Sequence, residues 1–241
     1  MGRGLPPHRG RLTSRAKGHC RQSENGAAPR LLYWGMPTAE SSRTFSARAG
    51  WTFVVLLVGS FVLLGELMGS FADPDRQFVA LFSRSGDRLA FIAGSVLLLL
   101  AGLVFVWFAH AVSREAGQNH LGLLITGVSA AGGMIVAALA FATVPLSIQF
   151  GSITGDPGLE SGQAVLPQLG YVAFGLGAMV PAALFIAIAA RTPGLLPRWL
   201  AVSSYPVSVL VALTAFLFMP VVLFVLWVAA STASISRRRR P

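Results

Sequence analysis

The chain has 241 residues, of which 54% are hydrophobic and only 12% are charged, and its net charge is +10 at pH 7. Long uncharged runs at this composition predict a membrane protein and leave no room for a soluble catalytic domain. The single cysteine, Cys20, excludes an intramolecular disulfide and a multi-cysteine metal site.

The positive charge is concentrated in the N-terminal tail, the C-terminal run and short loops beside apolar segments. This placement is typical of the bias of Lys and Arg toward the cytoplasmic side and of attraction to anionic lipid head groups. We therefore expect membrane lipids as partners and no nucleic acid.

Residues 1–49 are rich in Arg, Gly, Pro and Ser, without an apolar period, and predict a disordered basic cytoplasmic tail. No signal peptide is visible, because the one early apolar patch, residues 31–34, is shorter than an h-region of about 7–15 residues. Translation from Met36 is an alternative to translation from Met1.

Residues 50–236 predict an all-α, polytopic bundle of six transmembrane helices. Each of the first four apolar runs reaches the roughly 20 residues that one crossing needs. The predicted spans are 51–71, 89–112, 121–146, 169–190, 199–217 and 220–235.

The last apolar block, residues 199–235, decides the number of crossings. It is too long for one straight span, and Pro220 in its middle suits the first turn of a new helix. Two crossings also place the basic C-terminal tail, residues 237–241, on the same side as Arg191 and Arg198. Six spans with both termini in the cytoplasm follow.

The connections agree with this topology except at one place. The loop 147–168 contains Asp156 and Glu160 but no Lys or Arg, as expected outside the cell. In the first outside loop, basic and acidic residues offset one another, and residues 77–84 have the spacing of a short interfacial helix.

Small residues and prolines mark candidate packing and bending positions. Small residues four apart let another helix approach closely, and prolines inside spans predict kinks. The packing candidates are Ser129, Gly133, Ala137, Ala173 and Gly177, and the kink candidates are Pro145, Pro181 and Pro206.

Glu66 is the only carboxylate well inside an apolar run, which makes it a candidate functional residue. It lies close to the outer end of the first span, so a structural pair with Arg84 or Arg88 is favoured over a proton or cation site. His110 and His120 flank one short loop, but too few further ligands are near for a metal site.

The stretch Gly194-Leu195-Leu196-Pro197-Arg198-Trp199-Leu200 resembles that of bacterial six-helix integral membrane proteins of unknown function. In that group a short basic loop of this type joins the fourth and fifth helices. The resemblance covers about residues 51–240, implies the six-helix fold and a plasma-membrane location, and carries over no catalytic residue. The long arginine-rich start departs from the compact N-terminus usual there.

Two functions remain open. The absence of HExxH, GxSxG, Walker A and dinucleotide-binding patterns, and of any cofactor motif, disfavours an enzyme. We expect a non-enzymatic protein that packs against lipids, another membrane protein or copies of itself. The alternative is a small transporter or channel that uses Glu66 and the proline-interrupted helices.

Overall fold

The computed structural model describes residues 39–68, 85–150, 165–166, 168–213, 215 and 219–237. All of them belong to one compact unit that covers Pro37–Pro241. This part of the chain contains six helices and no strand. They are α1 (Ala39–Met68), α2 (Ser85–Arg114), α3 (His120–Gln149), α4 (Gln168–Arg191), α5 (Arg198–Leu213) and α6 (Met219–Arg237).

The all-helical class predicted from the sequence is confirmed for the described residues, and helices α2 to α6 begin and end within four residues of the predicted spans. The first helix differs, because it begins at Ala39 and not near Trp51. Residues 39–49 were predicted to be disordered for lack of an apolar period. They contain no proline, and Ala49 and Gly50 are buried in the bundle, so tertiary contact extends the helix backwards.

Several predictions lie outside the described residues. They concern the tail before residue 39, the interfacial segment 77–84, most of the loop 147–168, and the tight turn between α5 and α6.

Four of the helices are long and apolar enough to cross a membrane. Helices α2 and α3 have 30 residues each, about 45 Å at 1.5 Å per residue, against a hydrocarbon thickness of about 30 Å. Helices α5 and α6 are apolar but shorter, with 16 and 19 residues.

The six helices pack in chain order around a closed ring. Each helix contacts the one before and the one after it, and α6 returns to contact α1. Short connections favour this order at three places, since α2 and α3, α4 and α5, and α5 and α6 are each joined by five or six residues.

Phenylalanine side chains fill the centre of the ring, and aliphatic side chains cover its outside. Phe53, Phe105 and Phe224 are fully buried, whereas Val55 on α1 and Val202 on α5 are 67% and 64% exposed. A helix that is apolar all round belongs in a large core or in a bilayer, and here the exposed sides are as apolar as the buried ones.

Candidate functional site

Helices α3 and α4 approach each other closely where they cross, at Gly133 and Gly177. A Cβ atom on Gly133 would collide with the peptide group between Gly177 and Ala178. The Gly133 Cα therefore lies directly against that peptide group. Glycine is needed at residue 133 because any side chain there would separate the helices, whereas a Cβ atom on Gly177 would lie 3.3 Å from the Gly133 Cα and require only a small shift.

The other predicted packing residues are distributed over different faces. Ala137 is fully buried and Ala173 is half-buried, but Ser129 is exposed. Four residues turn an α-helix by 400°, so each step rotates the face by 40° and Ser129 points about 80° away from Ala137. Gly133 and Gly177 are brought together, while Ser129 faces outward.

The backbone of α4 widens at this crossing. Residues Ala173–Met179 form a π-helix that ends just before Pro181. Proline has no N–H to give to the carbonyl of residue 177, and its ring collides with that carbonyl in a regular α-helix. A π-turn is one way to accommodate this conflict, and such turns are frequent at functional sites. Pro145 and Pro206, in contrast, lie inside α-helices that continue past them.

The residue next to Gly133 faces the other way. A Cβ atom on Gly132 would meet nothing within 4 Å. Gly132 lies three residues after the exposed Ser129, hence on the same side of α3, with Ile125, Val128 and Val136 exposed around them. We call these five residues the outer face of α3.

The centre of the bundle is an aromatic cluster around Phe105. Its ring centroid lies 4.8 Å from that of Phe53, 5.5 Å from Phe224 and 5.7 Å from Phe185. These separations are in the range of favourable aromatic pairs. Four helices are tied together by this cluster.

A second set of rings joins the helices at the opposite half of the bundle. Phe61 on α1 contacts Phe174 on α4 with centroids 5.4 Å apart, directly across the ring of helices. Phe141 on α3 lies between Phe91 on α2 and Tyr171 on α4. Aromatic side chains therefore occupy the bundle interior at both levels.

A buried hydrogen bond that the sequence did not predict joins α5 to α6. The indole Nε1 of Trp227 donates to the Ser204 hydroxyl oxygen at 2.7 Å, and that hydroxyl donates to the Leu200 carbonyl at 2.6 Å. A buried indole N–H needs such an acceptor. The only hint in the sequence is a polar residue within each of two apolar helices, which does not reveal the partner.

Two further hydroxyls on α6 are buried without a hydrogen bond. Ser231 is 2% exposed and Thr232 is fully buried, and neither hydroxyl has a protein partner. Thr232 lies against Gly50 so closely that Gly50 has no room for a Cβ atom. This glycine sets the distance between α1 and α6.

The loop after α4 is anchored to the bundle by two buried leucines and one hydrogen bond. Leu195 and Leu196 are buried in the core, and Gly194 adopts a positive φ of 77° that turns the chain. The Asn119 side chain donates to the Thr192 hydroxyl at 2.9 Å, which ties the loop between α2 and α3 to it. Both loops therefore lie at the same end of the bundle.

Five arginines surround that end. All five side chains are exposed. The set comprises Arg48, Arg114, Arg191, Arg198 and Arg237. Below, this end of the molecule is called the arginine end.

Three exposed tryptophans lie at one level just inside the arginine end. Phe53 on α1 contacts Phe105 on α2. Because these helices are antiparallel, Trp51, two residues before Phe53, lies level with Trp107, two residues after Phe105. Trp227 on α6 donates a hydrogen bond to Ser204 on α5, so Trp199, five residues before Ser204, lies level with Thr232, five residues after Trp227. Thr232 in turn touches Gly50, the neighbour of Trp51. Tryptophans at one depth are typical of a membrane–water interface.

The predicted ionisable site is only partly described. Glu66 lies in the last turn of α1, four residues after the outward-facing Val62, but its side chain and the whole of Arg84 lie outside the described residues. Arg88 lies in the first turn of α2, half-buried, and its Nε is buried without a hydrogen bond. The pairing of Glu66 with either arginine stays a prediction.

The described residues contain no group of three potential metal ligands. His110 is exposed on α2, and His120 is half-buried at the start of α3.

No family model, no curated protein and no solved structure matches this chain. The class is therefore defined by the fold alone. It is a helical protein in which four helices are able to span a membrane.

Proposed function

We propose that this protein is a six-span integral protein of the plasma membrane whose two termini and arginine end lie in the cytoplasm. The exposed arginines at one end support this orientation, since Lys and Arg are enriched at cytoplasmic span ends. The common depth of Trp51, Trp107 and Trp199 supports a membrane–water interface at the arginine end.

Helices α5 and α6 are the two additional spans in this proposal. Their lengths correspond to about 24 and 28 Å, near the thickness of a hydrocarbon core. They complete the ring between α4 and α1, and their outward residues Val202, Val209 and Leu226 are more than half exposed. Water is a poor environment for such a surface.

The function that this geometry supports best is a non-enzymatic interaction or accessory protein. The observation that carries it is the opposite orientation of Gly132 and Gly133. Gly133 packs against α4 within the chain, whereas Gly132 and Ser129 leave the outer face of α3 open to another molecule. Membrane helices associate through such small residues, because they allow close backbone contact. Another membrane helix, from a different protein or a second copy, is the proposed partner.

A transporter or channel is the second candidate. The wide turn at Ala173–Met179, which includes the Gly133 contact and ends before Pro181, is the observation that favours it, because transporters form substrate and ion sites at irregular helices. Glu66 on α1 is then the residue proposed to bind a proton or cation.

Native mass spectrometry of the protein extracted from its own membrane tests the first function. The parent protein should carry a second polypeptide or a second copy, and Gly132→Leu should release it. Gly65→Leu is a matched control, since Gly65 on α1 is also exposed with open space around it.

A bare monomer from parent membranes would contradict the interaction function. In that case, ion flux in vesicles that contain the Glu66→Gln variant tests transport, and flux equal to that of the parent would exclude a role for Glu66.

A further inference from the structure

Five of the six helices combine an arginine with exposed apolar residues on the same outward side, a row of two on three of the helices and a single leucine on the other two. On α1, Arg48 is followed by Val55 and Val62 at intervals of seven residues, two turns of a helix, and all three are exposed. Arg48 therefore lies at the head of a row of aliphatic side chains that runs away from the arginine end.

The same relation recurs around the ring. On α5, Val202 and Val209 follow Arg198 at four and eleven residues, on one face of the helix. On α2, exposed Trp107 and Leu100 precede Arg114 at seven and fourteen residues. The corresponding pairs are Arg191 with Leu184 on α4, and Arg237 with Leu226 on α6.

Helix α3 is the exception. Its exposed stripe begins at Leu121 with no arginine at its head, and Asn119, just before it, is engaged with Thr192. An arginine at the end of the apolar row is thus found on five helices and not on α3.

An exposed guanidinium above an apolar row matches the two parts of a phospholipid. Arginine binds phosphate oxygens through two parallel N–H groups, and aliphatic side chains accept acyl chains. Because the five exposed arginines give this end of the molecule an excess of positive charge, a head group with a net negative charge is the ligand that neutralises them. A zwitterionic head group carries its own positive group, so its phosphate gains less binding free energy from the arginine.

We propose that anionic phospholipids bind along the five arginine-headed stripes, with the lipid phosphate on the arginine and the acyl chains on the stripe. The outer face of α3 has no such preference. This inference rests on the membrane embedding proposed above.

Tryptophan fluorescence tests the stripe on α5. In a chain with Trp34, Trp51 and Trp107 replaced by Phe, Trp199 next to Arg198 reports on bound lipid, because the remaining Trp227 is only 4% exposed. The protein is reconstituted into vesicles that contain either brominated phosphatidylglycerol or brominated phosphatidylcholine, and quenching of Trp199 measures local lipid occupancy.

We expect the parent chain to favour phosphatidylglycerol about fivefold, as one interfacial arginine allows. Arg198→Gln should reduce the ratio of quenching by the two lipids toward one, and Arg198→Lys should retain most of the preference. Arg88→Gln, in the first turn of α2 at the opposite end of the bundle, should leave it unchanged. Equal quenching by both lipids in the parent, or an Arg198→Gln variant that keeps the preference, would overturn the inference.

The same experiment separates this inference from the proposed membrane embedding. Absence of quenching by either brominated lipid contradicts the embedding itself, whereas strong and equal quenching contradicts only the lipid preference. Inorganic phosphate, added against sodium chloride at equal ionic strength, should not restore fluorescence. If it does, the arginine binds free phosphate and the lipid assignment is wrong.

Discussion

Gly133 on α3 rests on the peptide bond between Gly177 and Ala178 on α4, with no space for a Cβ atom between the two backbones. The contact occurs where α4 widens into a π-helix before Pro181. Its neighbour Gly132 has open space on the outside of the bundle. Of these two adjacent glycines, Gly133 therefore packs against α4 and Gly132 lies on the outer face of α3.

We predict that Gly133→Ala lowers the free energy of unfolding by about 1–3 kcal/mol, because the new methyl group meets backbone that cannot move aside. Gly132→Ala should instead raise it by about 0.5–1 kcal/mol, because the methyl group has open space and alanine is the better helix former. Reversible unfolding in mixed detergent micelles measures both. Equal effects of the two substitutions would show that the crossing is not as close as described.

The buried hydroxyls of α5 and α6 provide a second comparison. Ser204→Ala leaves the Trp227 indole N–H without an acceptor and should cost about 1–2 kcal/mol. Ser231→Ala removes a buried hydroxyl that has no protein partner and should be neutral within about 0.5 kcal/mol or stabilising. The same unfolding assay applies, and a larger loss for Ser231→Ala than for Ser204→Ala would contradict the assignment of the bond.

The aromatic cluster predicts a large effect at its centre. Phe105→Ala should lower the free energy of unfolding by about 3–5 kcal/mol, because Phe105 is fully buried against rings from three other helices. Leu103, two residues away, is 46% exposed and is the matched control, with an expected change below about 0.5 kcal/mol in lipid or detergent. Similar losses at both positions would mean that Phe105 is not at the core.

The sequence predicted the helices well and their contacts poorly. Apolar run length locates α2 to α6 within a few residues, since the bilayer sets a minimum length for a crossing. These helices are apolar on every side, so no periodic pattern shows which face is buried. Small-residue spacing indicated α3 and α4 as packing elements but not that Ser129 faces outward while Ala137 is buried.

Features that depend on two distant segments were not predictable. The bond from Trp227 to Ser204 and the contact of Gly50 with Thr232 require knowledge of which helices are neighbours. The arginine-headed stripes use only local spacing. They were nevertheless missed, because outward and inward faces had to be known before an arginine could be assigned to one of them.

Cysteine labelling of intact cells with a membrane-impermeant maleimide tests the central claim, the six-span topology with the arginine end in the cytoplasm. In a Cys20→Ser background, single cysteines replace Ser85 at the start of α2, Gln118 between α2 and α3, and Ser236 near the end of α6. We predict that only Ser85→Cys is labelled before lysis, and that all three are labelled after it. Labelling of Ser236→Cys but not Gln118→Cys in intact cells would contradict two crossings by α5 and α6. Labelling of Gln118→Cys but not Ser85→Cys would reverse the orientation.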